Sequence, residues 1–396
     1  MFHFGSRGNM PIYGVLFDIG SGSVGAAIVE SHPERTLPTL IYSTRSSLRV
    51  STEEQDVRRV REALLAASLT LSQEGQAALR AHNTKAKISR MLVTCGSPWA
   101  YTLARNVSYE NDESFKVTKS LLHDLAESAE EEILTYIRKD NQKAHKALEV
   151  VERATMDIAI NDYVITNPLH KTGTTCSLSH MVGLVPQEII TALNEVHSKL
   201  FPTTELKVHT YLLSLYCVLR DLYPDTHAFS IIDVTGEATE FGIVENNLLI
   251  ENTCVPYGSN TFTRGIMKET GSPASDIETM IAAEGSSHLM ERPELMAEAA
   301  RFTEEITKAF DTLLLHRTLP RDTAITVRYP YGQLFGDMLR NTLSAATKTK
   351  PRMLDLEHTL LHEVVPGLVP DTHIALIARF FHKLHGCGEL DTTTAL

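Results

Sequence analysis

The sequence predicts a mixed α/β chain made of two similar halves around one cleft, and two stretches carry that prediction. The first runs Val15-Leu16-Phe17-Asp18-Ile19-Gly20-Ser21-Gly22-Ser23-Val24-Gly25 and continues into Ala26-Ala27-Ile28-Val29-Glu30. An apolar run enters an Asp, a turn of small residues follows, and a second apolar run leaves, which reads as a β-hairpin. The second stretch, Phe229-Ser230-Ile231-Ile232-Asp233-Val234-Thr235-Gly236-Glu237-Ala238-Thr239-Glu240-Phe241-Gly242-Ile243-Val244, repeats that order far downstream. Backbone N–H groups of a Gly/Ser turn can face an anion closely, and serine hydroxyls add donors. Asp18 and Asp233 would then stand where Mg²⁺ or its waters meet phosphates. Either hairpin alone also fits an ordinary turn with a solvated acid. As a pair they suggest two turns offered to the same polyphosphate.

Composition narrows the classes. The 396 residues allow two to three domains and a large buried core. With 43% hydrophobic and 22% charged residues the chain is ordinary globular material. A formal net charge of -12 argues against nucleic acid as the main partner, because no surplus of cations exists to neutralise phosphates. The five cysteines are scattered without a C-x-x-C pair and read as reduced thiols used in the core. Of the seventeen histidines, His358 and His362 share helical i,i+4 spacing but lack a third ligand nearby. No apolar run approaches the roughly 20 residues that span a bilayer. Met1 to Asn9 holds a single Arg and no apolar segment, so a signal peptide is not expected, the ordered chain is expected to start near Met10, and the protein is read as cytoplasmic.

In chain order, Pro11 to Val29 gives the first hairpin and Thr39 to Arg49 a third strand. A helix begins at Thr52-Glu53-Glu54, with Val57, Val60, Leu64 and Leu65 at helical spacing, and runs towards Leu79. Ile88 to Cys95 is a buried strand ending at the Gly96-Ser97-Pro98-Trp99 turn, and Arg105 to Tyr109 forms another. Thr118 caps a helix whose face is Leu121, Leu122, Leu125, Ala129, Ile133, Leu134 and Ile137. Glu149 to Ala159, Asp162 to Leu169 and Cys176 to Leu184 read as strands, and Pro186 opens a helix to Leu200. Leu206 to Leu222 reads as one apolar helix before the second hairpin. Strand Glu251 to Val255 leads to a Pro-x-Gly turn at Gly258 and a helix. Ser272 to Glu278 opens another, and Arg292 to Leu315 is a long amphipathic helix. Thr323 to Arg328 is a strand, followed by a helix from Gln333 to Ala346. In the tail, Ile374, Leu376, Ile377, Phe380, Phe381 and Leu384 form an apolar stripe that suits core packing better than a membrane surface, because its cationic face is thin.

The two Asp-tipped hairpins resemble the phosphate loops of the actin, Hsp70 and sugar-kinase superfamily. The ordered set Val93 to Pro98, Val117-Thr118, Tyr163, Asn167-Pro168-Leu169 and Gly173 is similar to its FtsA/PilM branch. The resemblance runs from about Tyr13 to Ala346. It implies an actin-like, ribonuclease-H-type two-lobed α/β fold with an inserted SHS2-type α+β subdomain. The implied divisions are a first lobe at 11–87 plus 174–224 and the insertion at 88–173. The second lobe is implied at 225–265 plus 319–349, with a helical subdomain at 266–318, and a C-terminal helical tail follows at 350–396. The resemblance further implies ATP with Mg²⁺ between the hairpins. Asp18, Gly20, Ser21, Gly22, Ser23, Asp233, Gly236, Thr239, Gly258, Glu278 and Gly332 would hold the nucleotide, with Asp18 and Asp233 at the metal.

Several positions depart from that pattern. Thr235 and Glu237 stand where the family writes glycines, and a Glu aimed at phosphate would repel it unless it faces away. Tyr329-Pro330-Tyr331-Gly332 replaces a Gly-Gly turn beneath the base, where a Tyr either stacks or fills the space. Ile281 stands at the expected Lys position after Glu278. Hydrolysis is at most weak on this reading, and no catalytic residue is assigned. The function implied is a cytoplasmic scaffold peripheral to the inner membrane, first a pilus or secretion assembly protein. Its partner would be the cytoplasmic tail of a pilus protein, with self-association through the insertion and indirect membrane contact. A division-ring tether that binds a tubulin-like protein is the alternative. A sugar kinase or exopolyphosphatase would need a catalytic carboxylate near Gly96 to Trp99, and none stands there.

Overall fold

Two sheets of the same connectivity face each other across a pair of helices. The computed structural model describes residues 10–48, 50, 57–141, 147–283, 291–314, 318–328, 330–356, 360, 363–364 and 371–385. Arg49, the helix start at 52–54, His358, His362, Tyr329 and Cys387 lie outside the described residues. In the first lobe, β1 (Ile12–Ile19) pairs antiparallel with β2 (Ser23–Ser31), which pairs with β3 (Thr39–Ser47). On its other side β1 runs parallel to β4 (Ile88–Cys95), which runs parallel to β9 (Glu205–Thr210). The second lobe repeats the scheme with β10 (Phe229–Val234), β11 (Thr239–Glu245) and β12 (Leu248–Val255) antiparallel and β13 (Asp322–Val327) parallel to β10. A short β14 (Arg352–Met353) extends the second sheet, and β15 (Glu363–Val364) edges the first.

Strand alternation decides where the two acids point. In β1, Val15, Phe17 and Ile19 pack outward with α1 (Val57–Thr70) and α4 (Gln187–Leu200). Leu16 faces inward, in the layer formed by α5 (Tyr211–Leu222) and the C-terminal helix. In β10, Phe229 and Ile231 share that inner layer while Ile232 and Val234 face the opposite core. Because side chains alternate along a strand, Asp18 and Asp233 both continue the inward rows and aim at each other's lobe.

A third sheet, order β5-β8-β6-β7, comprises β5 (Tyr101–Lys116), β6 (Leu148–Ile160), β7 (Tyr163–Val164) and β8 (Thr172–Pro186), with α3 (Lys119–Asn141) against it, and packs on the rest of the chain through Ala154 and Met181. It spans 101–186, where the insertion is expected at 88–173. β4 belongs to the first-lobe sheet, where its register with β1 buries Met91 to Cys95, and β8 carries the third sheet on to Pro186. The Thr118 hydroxyl does cap α3, accepting from the Leu121 N–H at 3.2 Å. Two other expectations change. Leu206 to Leu222 is not one helix, since Leu206 and Val208 pack on the sheet as part of β9 and only Tyr211 starts α5. The helix read from Thr52 to Leu79 comprises α1, a π-turn at Leu71–Gly75 and α2 (Gln76–His82).

The remaining helices are α6 (Ser259–Thr270), α7 (Ala274–Ala283), α8 (Pro293–Leu314), α9 (Gly332–Thr347) and α10 (Thr372–His385). The apolar stripe of α10 is core. Ile374, Leu376, Ile377, Phe380 and Phe381 are buried with Leu16, Ala27 and the α5 face. A methyl group on Gly14 would strike the Phe381 ring, so that position has to be glycine for the helix to seat. Among the described residues no helix is long and apolar enough to cross a membrane.

Candidate functional site between the two hairpins

The hairpin tips meet directly. A methyl group on Gly236 would lie 2.5 Å from the Gly22 amide nitrogen, so the glycine at 236 allows the backbones this close. The Ser21 hydroxyl donates to Thr235 Oγ1 at 3.0 Å and accepts from the Glu237 N–H at 2.8 Å. Thr235 in turn donates to the Ala238 carbonyl. Thus Thr235 supplies the hydroxyl that joins the two turns. The turns also use their own backbone donors: Gly20 N–H to the Ser23 carbonyl and Thr235 N–H to the Ala238 carbonyl. At the start of α6, Ser259 and Asn260 donate their N–H groups to the Thr235 and Gly236 carbonyls at 2.9 and 2.7 Å. A helix N-terminus otherwise suited to an anion is thereby committed to the hairpin.

Behind the tips, Asp18 is fully buried and receives two guanidinium groups. Arg328, just past β13 and only 9% exposed, donates through Nη2 to Oδ1 and Oδ2 at 3.0 and 2.9 Å. Arg45, from β3, donates to Oδ2 at 3.0 Å and to the Ser23 hydroxyl at 2.9 Å. Burial by itself would raise the Asp18 carboxyl, but Arg328, Arg45 and His373 together hold it well below the usual carboxylate range. Burial likewise opposes the Arg328 charge, and Asp18 and Asp233 more than restore it. Arg45 also reaches Asp371 at 2.7 Å, whose other oxygen accepts from the His373 and Ile374 N–H groups and so caps α10.

Asp233 is the mirror case. Its Oδ1 accepts from the Thr326 hydroxyl at 2.7 Å and lies 3.3 Å from His373 Nε2, while the His373 ring stacks on Tyr211. Asp233 Oδ2, Arg328 Nε and Nη1, and the Tyr211 hydroxyl are buried there without a hydrogen-bond partner. Neighbouring Glu240, fully enclosed on β11, has its carboxyl pushed up to about 8 by burial, against a hydrogen bond with Ser97.

The other expected ligands divide. Thr239 is buried, and its hydroxyl is spent on the Tyr257 carbonyl at 2.7 Å. Gly258 allows the tight approach of the chain to the Thr235 and Gly236 carbonyls. Glu278 is half-buried near the Tyr331 hydroxyl, with its carboxyl raised by burial, and Gly332 opens α9 with open space where a side chain would be. Tyr331 takes the filling role: buried, bonded to Thr263 at 2.6 Å and packed on Phe335. Ile281 is core. Glu237 faces away from the junction's centre and pairs with Arg264 and Asn260.

Tested against Mg²⁺ and a triphosphate between the tips, these residues do not fit. A guanidinium stands beside Asp18 where a cation would sit, the Gly20, Thr235, Glu237 and Ala238 N–H groups are committed internally, and the tips are in contact at Gly22 and Gly236. Asp18 and Asp233, the acids expected at Mg²⁺, are here acceptors for protein side chains. The sequence reading missed Arg45, Arg328, Asp371 and His373. The one available signal was an Arg closing the apolar strand Thr323 to Val327, a charge with no reason to end a buried strand unless an acid awaits it.

No family model and no curated protein matches the chain. Among solved structures it is similar to the PilM-PilN type IV pilus biogenesis complex, at 12% identity over 95% of this chain and 96% of that one, with a TM-score of 0.55. Looser similarity links it to the ethanolamine utilization protein EutJ from Carboxydothermus hydrogenoformans, at 11% identity, 93% and 90% coverage and a TM-score of 0.44. It also links it to the activator of the 2-hydroxyisocaproyl-CoA dehydratase from Clostridium difficile with bound ADPNP, at 12%, 95% and 96%, and 0.39. The two looser matches carry no weight here. At such identities the first match speaks to architecture alone, and it agrees with the duplicated sheets: the chain has the two-lobed actin-like ATPase fold.

Proposed function

We propose that this protein is a scaffold of the FtsA/PilM type, acting in assembly of a type IV pilus or related secretion complex at the inner membrane. In that role it receives the cytoplasmic tail of a small membrane protein. The observation that carries this reading is the junction itself. A chain that spends both phosphate turns on holding its lobes together keeps the fold for its surfaces rather than for phosphoryl transfer. Two further features support the reading. The fold match extends over nearly the whole of both chains, and the structure so matched is a complex of PilM with PilN. The separate sheet of residues 101–186, which we assign to the SHS2-type insertion, projects a second surface from the first lobe and suits self-association. Membrane contact is then indirect, since the α10 stripe is core.

Affinity purification of the tagged chain from its native cells tests the proposal. Recovery of a small bitopic pilus protein supports it. Recovery of a tubulin-like ring protein in its place would transfer the scaffold to division. Turnover in a phosphoryl-transfer assay over sugars and polyphosphate would sink the scaffold reading in favour of an enzyme.

A further inference from the structure

We infer that Arg328 is a built-in cation that closes the inter-lobe cleft, so that the two lobes come together without any nucleotide. The inference stands on the geometry of the junction and does not depend on which partner the scaffold serves.

The contacts are reciprocal. Each lobe presents one buried Asp, and each Asp receives a cationic or hydrogen-bonding side chain anchored elsewhere. Asp18 of the first lobe takes Arg328 of the second, and Asp233 of the second takes His373 of α10, which is packed into the first. Two carboxylates facing each other in a dry junction would repel strongly and be costly to bury. A divalent cation with phosphates is one remedy, and a guanidinium is another, because it is a fixed positive charge; here its Nη2 alone donates to both Asp18 oxygens. This chain has the second. A methyl group on Gly20 would lie 2.5 Å from Arg328 Nη1, so the guanidinium fills the hollow behind the first turn. Arg45 and Asp371 then tie the same carboxylate to the cap of α10, which couples closure to the seating of that helix.

The test uses the full-length chain. Calorimetric titration with ATP and Mg²⁺ should show no binding at millimolar nucleotide. Amide hydrogen exchange at residues 18–25 and 233–239 should be equally slow with and without Mg·ATP. In Arg328→Gln, exchange at both tips should accelerate at least about tenfold, while Arg328→Lys, which keeps the charge but not the planar group that fills the hollow behind Gly20, falls between. Micromolar binding by the wild-type protein, or tips that gain protection only with Mg·ATP, would overturn the inference. So would an Arg328→Gln protein whose tips exchange at the wild-type rate. Should Arg328→Gln fail to fold, the wild-type titration and exchange still decide.

Discussion

At Asp18 a single carboxylate is held by two arginines from different parts of the chain, and the consequences of disturbing it follow from its burial. Removing one partner leaves a charge in a dry site, which typically costs about 3–5 kcal/mol. Arg328→Gln and Asp18→Asn should each lower stability by amounts of that order in urea unfolding, and the double variant should lose less than the sum because the second change removes the stranded charge. The pH dependence has opposite signs at two buried acids. The folded chain holds the Asp18 carboxyl below its ordinary value. The unfolded chain therefore binds the extra proton first as the pH falls, so this contribution is complete above the ordinary carboxylate range near about 4 and is lost below it. Glu240 behaves in reverse. Its folded carboxyl keeps a proton up to about 8, whereas the unfolded one releases it in the ordinary range. Stability therefore falls as pH rises between those values and levels off above them. Glu240→Gln should gain on the wild-type protein progressively from pH 5 to pH 8 in the same unfolding assay, and a constant difference would mean that Glu240 is ionised in the fold.

Among the elements, α10 carries the most. It packs between the sheets, its cap Asp371 binds Arg45, and its His373 reaches Asp233. Phe381 is fully enclosed against Gly14. Phe381→Ala should cost about 3–5 kcal/mol, and Gly14→Ala about 1–3 kcal/mol by overpacking. Both should also speed hydrogen exchange at the hairpin tips, which a purely local defect would leave unmoved. The stripe of α10 was legible in the sequence because six apolar residues at helical spacing leave one buried face. Its place in the fold was not, because periodicity reports that a face is buried and never against what. The same limit explains β9. Leu206 and Val208 alternate over too few residues to be separated from the helix that follows, and only the parallel pairing with β4 makes them a strand.

For the whole molecule, the expected behaviour is that of a rigid two-lobed body whose shape is indifferent to nucleotide. Small-angle scattering of the purified chain should give the same radius of gyration with EDTA and with Mg·ATP, and contraction on adding Mg·ATP would restore a nucleotide-driven cleft. The sequence by itself determined the duplicated hairpins, the inward acids at their ends and hence the two-lobed α/β class, because strand alternation and small-residue turns are local properties of neighbouring residues. Its departures at Thr235, Glu237 and Tyr331 were visible in the sequence, but not which way Glu237 faces or whether Tyr331 is core. Only the tertiary structure decided what the acids face: Arg328 stands 310 positions from Asp18 and His373 stands 140 from Asp233. No local pattern links residues so distant. The partner of a buried charge is chosen by how sheets and helices pack, and that choice makes the two Asp-tipped hairpins a junction between lobes.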